Sequence, residues 1–556
     1  MIMKKFTECV HNTRNINMCC AILFLCWCIL SYLLLDELII PGHDYIFHVS
    51  RIEAVADALK QGVFPVRMYV DSAQFWGAPV GIFYPGFFAC FPALLRCLGI
   101  PIEICYNLFI ASIIFLGLFV SWYGFTRLTK SKQRGLFSAI LYISSGYYLT
   151  DVYIRNALGE ALALSFMPLA VAFLLNVVNK SKIPIRDYVL GIVAISGIIE
   201  SHVLSSGLLF LFGLLVIVFN IKKVNAVKAK RILLITSVLF LTNASFILPF
   251  LYFYNIVPLQ VHFVEDFSVS GLSLFFLKRL ALYWNFWLFC LIMIFLVAVF
   301  SLKNHKNLLY KFYLHYVNYF FAGLFLVFLS SAFFPWDLVP PLKKTFEFMQ
   351  FPWRFMSLAT LFFSVCGGFG ACYVIKKLQL SKKRDVLVIA LLICVTSFTA
   401  FTYFVPVPKW IIYPRRQWER VPFYSDEDYL YKDMSPEILF QQGNHYITKA
   451  HITQWEKIST SITFSYQADE DSEIILPLVN YPGYEAKDQY GNLIQLFESH
   501  NRMIVIHLPQ GNGSIKVYYK GILLFRVADY VSLTSLLVIS VWLIRVHMRK
   551  KWNYLM

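Results

Sequence analysis

The sequence predicts an all-α polytopic membrane protein of about twelve transmembrane helices, with a mainly β extracytoplasmic domain toward its C-terminal end. Composition is the first observation behind this prediction. Of the 556 residues, 58% are hydrophobic and 15% are charged, whereas a soluble globular chain is about half apolar and about a quarter charged. The second observation is that the basic residues behind the net charge of +17 lie mostly in short loops between apolar runs, as cytoplasmic loops do. This placement indicates the lipid bilayer as a partner and argues against nucleic acid.

The apolar runs define the predicted spans, several of which are shorter than the roughly 20 residues of an ideal transmembrane helix. The first run is preceded by Lys4, Lys5 and Arg14 and lacks a small-residue cleavage site. We therefore expect a retained span and not a removed signal peptide. The predicted spans are 19–40, 104–126, 135–153, 157–178, 187–202, 203–220, 232–254, 281–301, 312–333, 354–375, 386–404 and 526–545.

The basic loops test this assignment. With the N-terminus inside and about twelve spans, every basic loop falls on the cytoplasmic side, and both termini are cytoplasmic. The apolar run Ile82–Ile100 must then not cross the membrane. Its Pro85, Pro92 and Arg96 favour a re-entrant or interfacial segment on the outer face. The later basic loops are Arg127–Arg134, Lys180–Arg186, Lys222–Arg231, Lys303–Lys311, Lys376–Arg384 and Arg545–Lys551.

The spans divide the chain into three expected parts. Residues 1–404 form a transmembrane domain with a first exterior loop at 41–103. Residues 405–525 form an exterior β-sandwich-like domain, and residues 526–556 form the final transmembrane helix with a basic cytoplasmic tail.

The exterior domain carries strand signals. Lys457–Ala468 alternates polar and apolar residues, as a half-buried strand does. Arg502–Leu508 and Ser514–Tyr519 flank a Pro-Gln-Gly-Asn-Gly turn, which predicts a hairpin within a small antiparallel β-sandwich.

The first exterior loop opens with a segment, residues 41–86, that is too polar for lipid. No helix breaker lies between Asp44 and Lys60, whereas Gly62 and Pro65 end the run, so this segment is predicted to be a helix with Asp44 at its N-terminus. Charged residues near the membrane lie at the predicted exterior ends of the spans, which indicates one site at the outer face. They are Asp44, Asp151, Arg155, Glu160, Glu200, His202 and Arg354.

The motifs formed by these residues resemble a known family. Gly42-His43-Asp44 after the first span is similar to the acidic motif in the first exterior loop of GT-C-type glycosyltransferases. More narrowly, the chain resembles a bacterial membrane family often labelled "6-pyruvoyl-tetrahydropterin synthase-related" and akin to YfhO-type wall-polymer glycosyltransferases. The matching motifs are Asp44-x3-His48-x2-Arg51, Gly62-x2-Pro65-x-Arg67, Phe83-Tyr84-Pro85, Arg155-x3-Gly159-Glu160, Ser201-His202, Phe351-Pro352-Trp353-Arg354 and Tyr481-Pro482-Gly483-Tyr484.

The resemblance implies a GT-C-like enzyme of the bacterial plasma membrane. It would move a sugar from a polyprenyl-phosphate donor to an extracytoplasmic cell-wall or surface glycan acceptor. Pterin chemistry is not expected, because no zinc-type histidine cluster occurs in a soluble domain.

The chemistry of such a transfer assigns roles to the candidates. A carboxylate can take the proton of the acceptor hydroxyl as the bond to the anomeric carbon forms, and an inverting transferase needs one such base. We expect Asp44 to be this base. The fixed, always-charged forks of Arg155 and Arg354 suit the donor phosphate. Further substrate-binding candidates are His48, Arg51, Glu160, His202 and Tyr84.

Each candidate also has a structural alternative. Asp44 could cap its helix, and the two arginines could place helix ends at lipid headgroups. Glu160 could pair with Arg155, and His202 could be an interfacial histidine with its hydrogen bonds satisfied. No cofactor is fixed by the sequence. A divalent metal is an alternative ligand for His43, Asp44 and His48. Asp44 and His48 are four residues apart and could share a metal, but the spacing fixes no third ligand beside them.

Two rival functions follow from the same pattern. A transporter or flippase of lipid-linked glycans would keep its binding groups near the bilayer midplane, whereas this chain keeps its charges at one face. A non-catalytic wall-assembly scaffold would bind polymer through the β domain.

Overall fold

The computed structural model describes residues 2–35, 42–69, 76–260, 309–377, 396–397, 429–434, 446–458 and 461–555. The described chain is mostly helical up to residue 377 and mainly β from 447 to 519. The helices are α1 Ile2–Leu30, α2 Tyr45–Lys60, α3 Val80–Phe83, α4 Cys90–Cys97, α5 Ile102–Thr129, α6 Lys132–Ile143, α7 Gly146–Leu149, α8 Leu158–Asn179, α9 Ile185–Ile199, α10 Val203–Phe219, α11 Ala226–Thr242, α12 Ala244–Ile256, α13 Leu309–Ser330, α14 Pro340–Phe346, α15 Met356–Lys377 and α16 Leu523–Leu555.

Short turns of other helix types join some of these elements. A π-helical turn, Thr150–Ile154, lies between α7 and α8. A 3₁₀ turn, Pro352–Phe355, leads into α15. Further 3₁₀ turns are Tyr32–Leu35, Ile221–Lys223, Trp336–Leu338 and Glu347–Met349.

The number of spans differs from the prediction. Four helices of the described chain are long and apolar enough to cross a membrane, and a fifth is reached if α11 and α12, which are bent by 81° at their junction, count as one span. Within the described residues, length and composition therefore identify four or five spans and not the expected twelve. The predicted spans 281–301 and, except for two residues, 386–404 lie outside the described residues. The four helices are Ile102–Thr129, Leu158–Asn179, Pro352–Tyr373 and Leu523–Arg545.

A short polar break and a short helix account for two of the missing spans. The predicted span 135–153 is divided between α6, α7 and the π-helical turn, and the Ser145 hydroxyl accepts a hydrogen bond from Tyr148 N at the start of α7. The predicted span 187–202 is a helix of 15 residues, α9. Window hydropathy does not detect such breaks, because a serine lowers the average very little. The run 82–100 likewise forms short helices and no helix of spanning length.

α8 is the central helix of the described bundle. It packs against α5 and α9, and 83% of its apolar window is buried inside the protein, compared with 11% for Leu523–Arg545. The close approach of α5 depends on Gly124, because a Cβ there would lie 2.5 Å from Leu169 N of α8. The N-terminal turn of α8 is buried among its neighbours, while most of the apolar window of α16 is not covered by other described parts of the chain.

The C-terminal region consists of two antiparallel sheets. The strands are β1 Ile447–Thr448, β2 His451–Ile458, β3 Ser461–Ala468, β4 Ser472–Val479, β5 Tyr484–Asp488, β6 Leu493–Ile494, β7 Phe497–Glu498, β8 Met503–Leu508 and β9 Gly511–Tyr519. One sheet has the order β1-β4-β8-β7 and the other β2-β3-β9-β5-β6. A mainly β C-terminal region is thereby confirmed, whereas its limits at 405 and 525 and its position outside the cell stay predictions.

The predicted hairpin around Pro-Gln-Gly-Asn-Gly is wrong. β8 pairs with β4 and β7, while β9 pairs with β3 and β5, so the two strands belong to different sheets. Asp471, which precedes β4, contacts the connection between β8 and β9, because its Oδ1 accepts a hydrogen bond from Gln510 N at 2.8 Å. This contact holds the connection where the chain passes from one sheet to the other.

The β region contacts segment 41–103, which the sequence predicts to be the first exterior loop. Val479 N donates a hydrogen bond to Trp76 O at 2.9 Å. The rings of Phe83 and Tyr429 stack with centroids 5.2 Å apart, and Tyr481 Oη donates to Tyr429 O at 2.8 Å. The β region is therefore held beside the loop that carries Asp44.

Candidate functional site

The backbone before α2 is joined to the turn before α8. Asp44 N donates to Arg155 O at 2.8 Å, and Gly42 N donates to Asn156 Oδ1 at 2.6 Å. Asn156 adopts a left-handed backbone, with φ of 52°, which Asn tolerates better than most residues. These contacts place Asp44 beside Arg155, more than 100 residues later in the chain.

The side chain of Asp44 does not cap α2. Asp44 occupies the N-cap position of the helix, but its carboxylate accepts no hydrogen bond from the helix backbone. Within the described ranges it also makes no other hydrogen bond and no ion pair. Burial raises the pKa of the Asp44 carboxyl above its usual value, and the nearby positive charge of Arg155 offsets part of the rise. A raised pKa makes a carboxylate a stronger base.

Glu160 is the acceptor at the centre of the site. It lies in the first turn of α8 and is 2% exposed. Its Oε2 accepts hydrogen bonds from Arg155 Nη1 at 3.0 Å and from Arg354 Nη1 at 3.1 Å, and its Oε1 accepts from Tyr147 Oη. Arg155 Nη1 also donates to Asp151. The pairing of Glu160 with Arg155, which was one alternative to a substrate role, is thus present, and Glu160 holds Arg354 as well.

Arg354 is held on several sides. Nη2 donates to Gln350 Oε1 at 3.0 Å, and Nη1 also lies 3.3 Å from His202 Nε2. Because a guanidinium only donates, His202 Nε2 must be an acceptor, and the imidazole proton then sits on Nδ1, which lies 2.8 Å from Ser205 Oγ. His202 is therefore neutral, and each of its ring nitrogens has a hydrogen-bond partner.

Arg155 keeps more of its donors free than Arg354 does. In the part of the chain that the structure describes, Nε and Nη2 of Arg155 have no hydrogen-bond partner, and its side chain is 17% exposed. Its guanidinium carbon lies 4.4 Å from the centroid of the Trp353 ring. Arg354 is 7% exposed, and its one unpartnered nitrogen, Nε, is buried. Arg155 is consequently the arginine that can meet an incoming anion without giving up a partner.

A second layer of residues lies next to this cluster. Arg51 Nη2 donates to Pro85 O at 2.8 Å, and its guanidinium carbon lies 4.3 Å from the centroid of the Tyr84 ring. Arg51 therefore fixes the turn that carries Tyr84. The Tyr84 ring lies 6.1 Å from that of His202, and burial raises the pKa of Tyr84 to about 12, which keeps its hydroxyl protonated.

Gly159 admits the tip of Tyr84 to the site. A Cβ at Gly159 would lie 2.1 Å from Tyr84 Oη and 2.7 Å from Ser201 O. Any side chain larger than that of glycine would overlap these atoms, which explains the glycine in the Arg155-x3-Gly159-Glu160 motif.

The metal alternative finds no support in the geometry. No group of three His, Cys, Asp or Glu side chains in the described ranges could hold a metal ion. His48 is buried, and its Nδ1 lies 3.5 Å from Arg51 Nη1, whereas His43 is exposed. His43, Asp44 and His48 therefore do not converge.

Several residues of the site were not anticipated as such. Tyr147 lies in an apolar run where no local pattern distinguishes it. Gln350 directly precedes the Phe351–Arg354 motif, and this position in the sequence was a signal that could have identified it as a site residue. Glu200, which was noted for its charge, ends α9 as the C-cap residue and makes no side-chain hydrogen bond or ion pair with the described residues. Of the predicted residues, the structure brings together Asp44, Arg155, Glu160, His202 and Arg354, with His48, Arg51 and Tyr84 beside them.

No family model matches the sequence, and no curated protein matches it. Three solved structures of GT-C glycosyltransferases are similar to this chain. The crystal structure of ArnT from Cupriavidus metallidurans bound to undecaprenyl phosphate has a TM-score of 0.41 at 13% identity, covering 71% of this chain and 76% of that one.

The other two structures match over smaller parts of their own length. The cryo-EM structure of the arabinofuranosyltransferase AftD from Mycobacteria has a TM-score of 0.45 at 14% identity, covering 70% of this chain and 27% of that one. The oligosaccharyltransferase of Archaeoglobus fulgidus in its apo form has a TM-score of 0.42 at 11% identity, covering 69% and 56%. Values this low do not assign the chain to a family, so the function must be judged from the site.

Proposed function

We propose that this chain is a GT-C-like membrane glycosyltransferase that moves a sugar from a polyprenyl-phosphate donor to an extracytoplasmic cell-wall or surface glycan acceptor. The observation that carries the proposal is a difference among three carboxylates. Glu160 and Asp151 pair with arginines, whereas the Asp44 carboxylate has no partner among the described residues and does not cap its helix. An unpaired, half-buried carboxylate beside a cation is what a general base requires.

The reaction assigned to the site is an inverting transfer. The acceptor hydroxyl oxygen forms a bond to the anomeric carbon, and its proton passes to Asp44. The bond between that carbon and the phosphate oxygen breaks, and the lipid phosphate leaves with the bonding electrons. One base is sufficient, because the phosphate is a good leaving group once its charge is met.

Arg155 is the residue to which we assign the donor phosphate. Its free Nε and Nη2 could bind two phosphate oxygens in the bidentate manner of guanidinium groups. Arg354 supports the same step indirectly. It shares Glu160 with Arg155, so it keeps that carboxylate from drawing Arg155 further from the ligand. We therefore treat Arg354 as a positioning residue.

Transfer and transport are separated by following the sugar. The full-length protein in proteoliposomes is supplied with undecaprenyl-phosphate sugars labelled in the sugar, together with a cell-wall glycan fraction. A glycosyltransferase forms a covalent labelled product and releases undecaprenyl phosphate in equal amount. Movement of labelled lipid between leaflets without product would contradict the proposal and favour a flippase.

A further inference from the structure

We propose that one end of the helical bundle binds the anionic headgroups of the adjoining lipid leaflet. The surface concerned, called here the basic surface, consists of the connections Arg127–Arg134, Lys180–Arg186 and Lys222–Arg231. They carry four, three and five Lys or Arg residues and no Asp or Glu. The nearest acidic residue along the chain, Asp187, forms an ion pair with Arg127.

The three connections form a single surface. The Arg127–Asp187 pair joins the first connection to the start of α9. Lys223 Nζ of the third connection donates to Asn179 Oδ1 at 3.2 Å, next to the second. Arg231 Nη1 donates to Lys180 O at 2.8 Å. The positive charges of all three are thereby gathered at one end of α5, α8 and α10.

Some of these cations have a structural task. Lys228 Nζ donates to Val178 O at 2.6 Å, and Arg231 Nη1 donates to Val177 O at 3.1 Å. These two carbonyls belong to the last turn of α8, where helices leave carbonyl oxygens unsatisfied and where cations are favoured. Lys228 and Arg231 therefore stabilise the end of α8 and are not free for a ligand.

The remaining lysines form the ligand-binding part of the surface. Across the described residues, the side-chain ammonium groups of five of them make no hydrogen bond and no ion pair. Partial burial and the neighbouring charges of Arg127 and Lys130 lower the pKa of Lys180. Several unpaired like charges held close together favour an anion that can contact more than one of them. The five lysines are Lys130, Lys180, Lys182, Lys222 and Lys230.

Apolar neighbours indicate that the anion belongs to a lipid. Val218, Phe219 and Ile221 precede the third connection and Val227 lies within it; these side chains are 60% to 82% exposed. A bilayer covers such side chains with acyl chains while its phosphates reach the lysines. A soluble anion or a nucleic acid would leave these side chains in water, so the neighbourhood favours an anionic phospholipid.

The test measures the affinity for two lipids of opposite headgroup character. Purified full-length protein in detergent is titrated with fluorescent phosphatidylglycerol and with fluorescent phosphatidylcholine. The variant Lys182→Gln/Lys222→Gln/Lys230→Gln is compared with the wild type. Each lysine near a headgroup contributes about fivefold, so the variant should bind phosphatidylglycerol roughly 10²-fold more weakly, with phosphatidylcholine unchanged.

A matched control removes the same charge elsewhere. Lys432, Lys449 and Lys516 are exposed residues of the β-rich C-terminal part of the chain without a side-chain partner in the described structure. The variant Lys432→Gln/Lys449→Gln/Lys516→Gln should bind phosphatidylglycerol as the wild type does. Equal loss in both variants would overturn the assignment to the basic surface.

Measurements on the wild type keep the proposal testable if the triple variant does not fold. Raising NaCl from about 0.05 M to about 0.5 M should weaken phosphatidylglycerol binding, because exposed charges are then screened. Equal affinity for the two lipids, or binding that is independent of salt, would overturn the proposal. Displacement of phosphatidylglycerol by inorganic phosphate or by an oligonucleotide at similar concentration would also overturn it.

Discussion

The Asp44 carboxylate differs from the two neighbouring carboxylates in its ion pairs and hydrogen bonds. Asp151 and Glu160 are engaged by arginines, whereas Asp44 has neither a cation within ion-pair distance nor a hydrogen-bond donor among the described residues. Its electrostatic surroundings still include Arg155. At the scale of single residues, the proposed chemistry depends on this division of charge.

Asp44→Asn should lower the transfer rate by about 10²-fold or more, because an amide cannot accept the proton of the acceptor hydroxyl. Expression and thermal stability should stay near those of the wild type, since the side chain makes no cap hydrogen bond. The control is Asp57→Asn on the same helix, where the carboxylate is 41% exposed and pairs with Lys60. Near-normal transfer by Asp44→Asn would remove Asp44 from the mechanism.

The pH dependence of transfer should report the same residue. Asp44 must be ionised to act as a base, so activity is present above its pKa and is lost as the pH falls through it. Because burial raises this pKa, the acid limb of kcat/KM should lie above the ordinary aspartate value of about 3.9. An acid limb at or below that value, measured with the protein still folded, would contradict the assignment.

The two arginines should respond differently to loss of charge. Arg155→Gln removes the donors that are open to a phosphate, so the KM for the donor and the Ki of free undecaprenyl phosphate should rise about tenfold or more. Arg354→Gln breaks buried contacts with Glu160 and His202, so it should lower the thermal unfolding temperature and leave that Ki within about threefold. The reverse pattern would make Arg354 the phosphate-binding residue.

At the scale of elements, the N-terminal turn of α8 is where the site is assembled. It carries Gly159 and Glu160, begins shortly after Arg155 in the chain, and contacts Tyr84, which follows α3. The segment that carries Tyr84 and the start of α8 therefore pack closely at Gly159. A change in that turn should therefore disturb both packing and the site.

Gly159→Ala should destabilise the protein by about 1–3 kcal/mol, because its Cβ would overlap Tyr84 Oη and the backbone oxygen of Ser201. Thermal unfolding in detergent measures the change. Gly213→Ala in α10 is the control, since a Cβ there would first meet Leu174 at 3.6 Å, an ordinary contact. Equal stability of the two variants would mean that Tyr84 does not enter the site as described.

At the scale of the whole molecule, the proposal requires Asp44 and the β region on the same side of the membrane, with the basic surface on the other. Single cysteines at Gln61, Asn512 and Ser181, in a cysteine-free background, test this arrangement with an impermeant thiol reagent on intact cells. The first two should be labelled and Ser181→Cys should not. Labelling at Ser181 would overturn the topology.

Part of this molecule could be predicted from local sequence. The membrane class follows from composition. The end of α2 at Lys60 was predicted from the helix-breaking residues Gly62 and Pro65. The β region follows from alternation, and the residues of the site follow from charges placed at the ends of apolar runs. Each of these signals is carried by neighbouring residues, so a single sequence contains it.

Only the tertiary structure decided how these parts meet. Arg354 and Glu160 form an ion pair although they are 194 residues apart in the chain. β8 pairs with β4 and not with β9, which follows it in the chain. The same holds for the lack of a side-chain partner at Asp44 among the described residues. Such outcomes depend on which distant group the fold brings next to a donor, an acceptor or an apolar face. Hydropathy and periodicity describe what each segment needs, and the folded chain determines which partner supplies it.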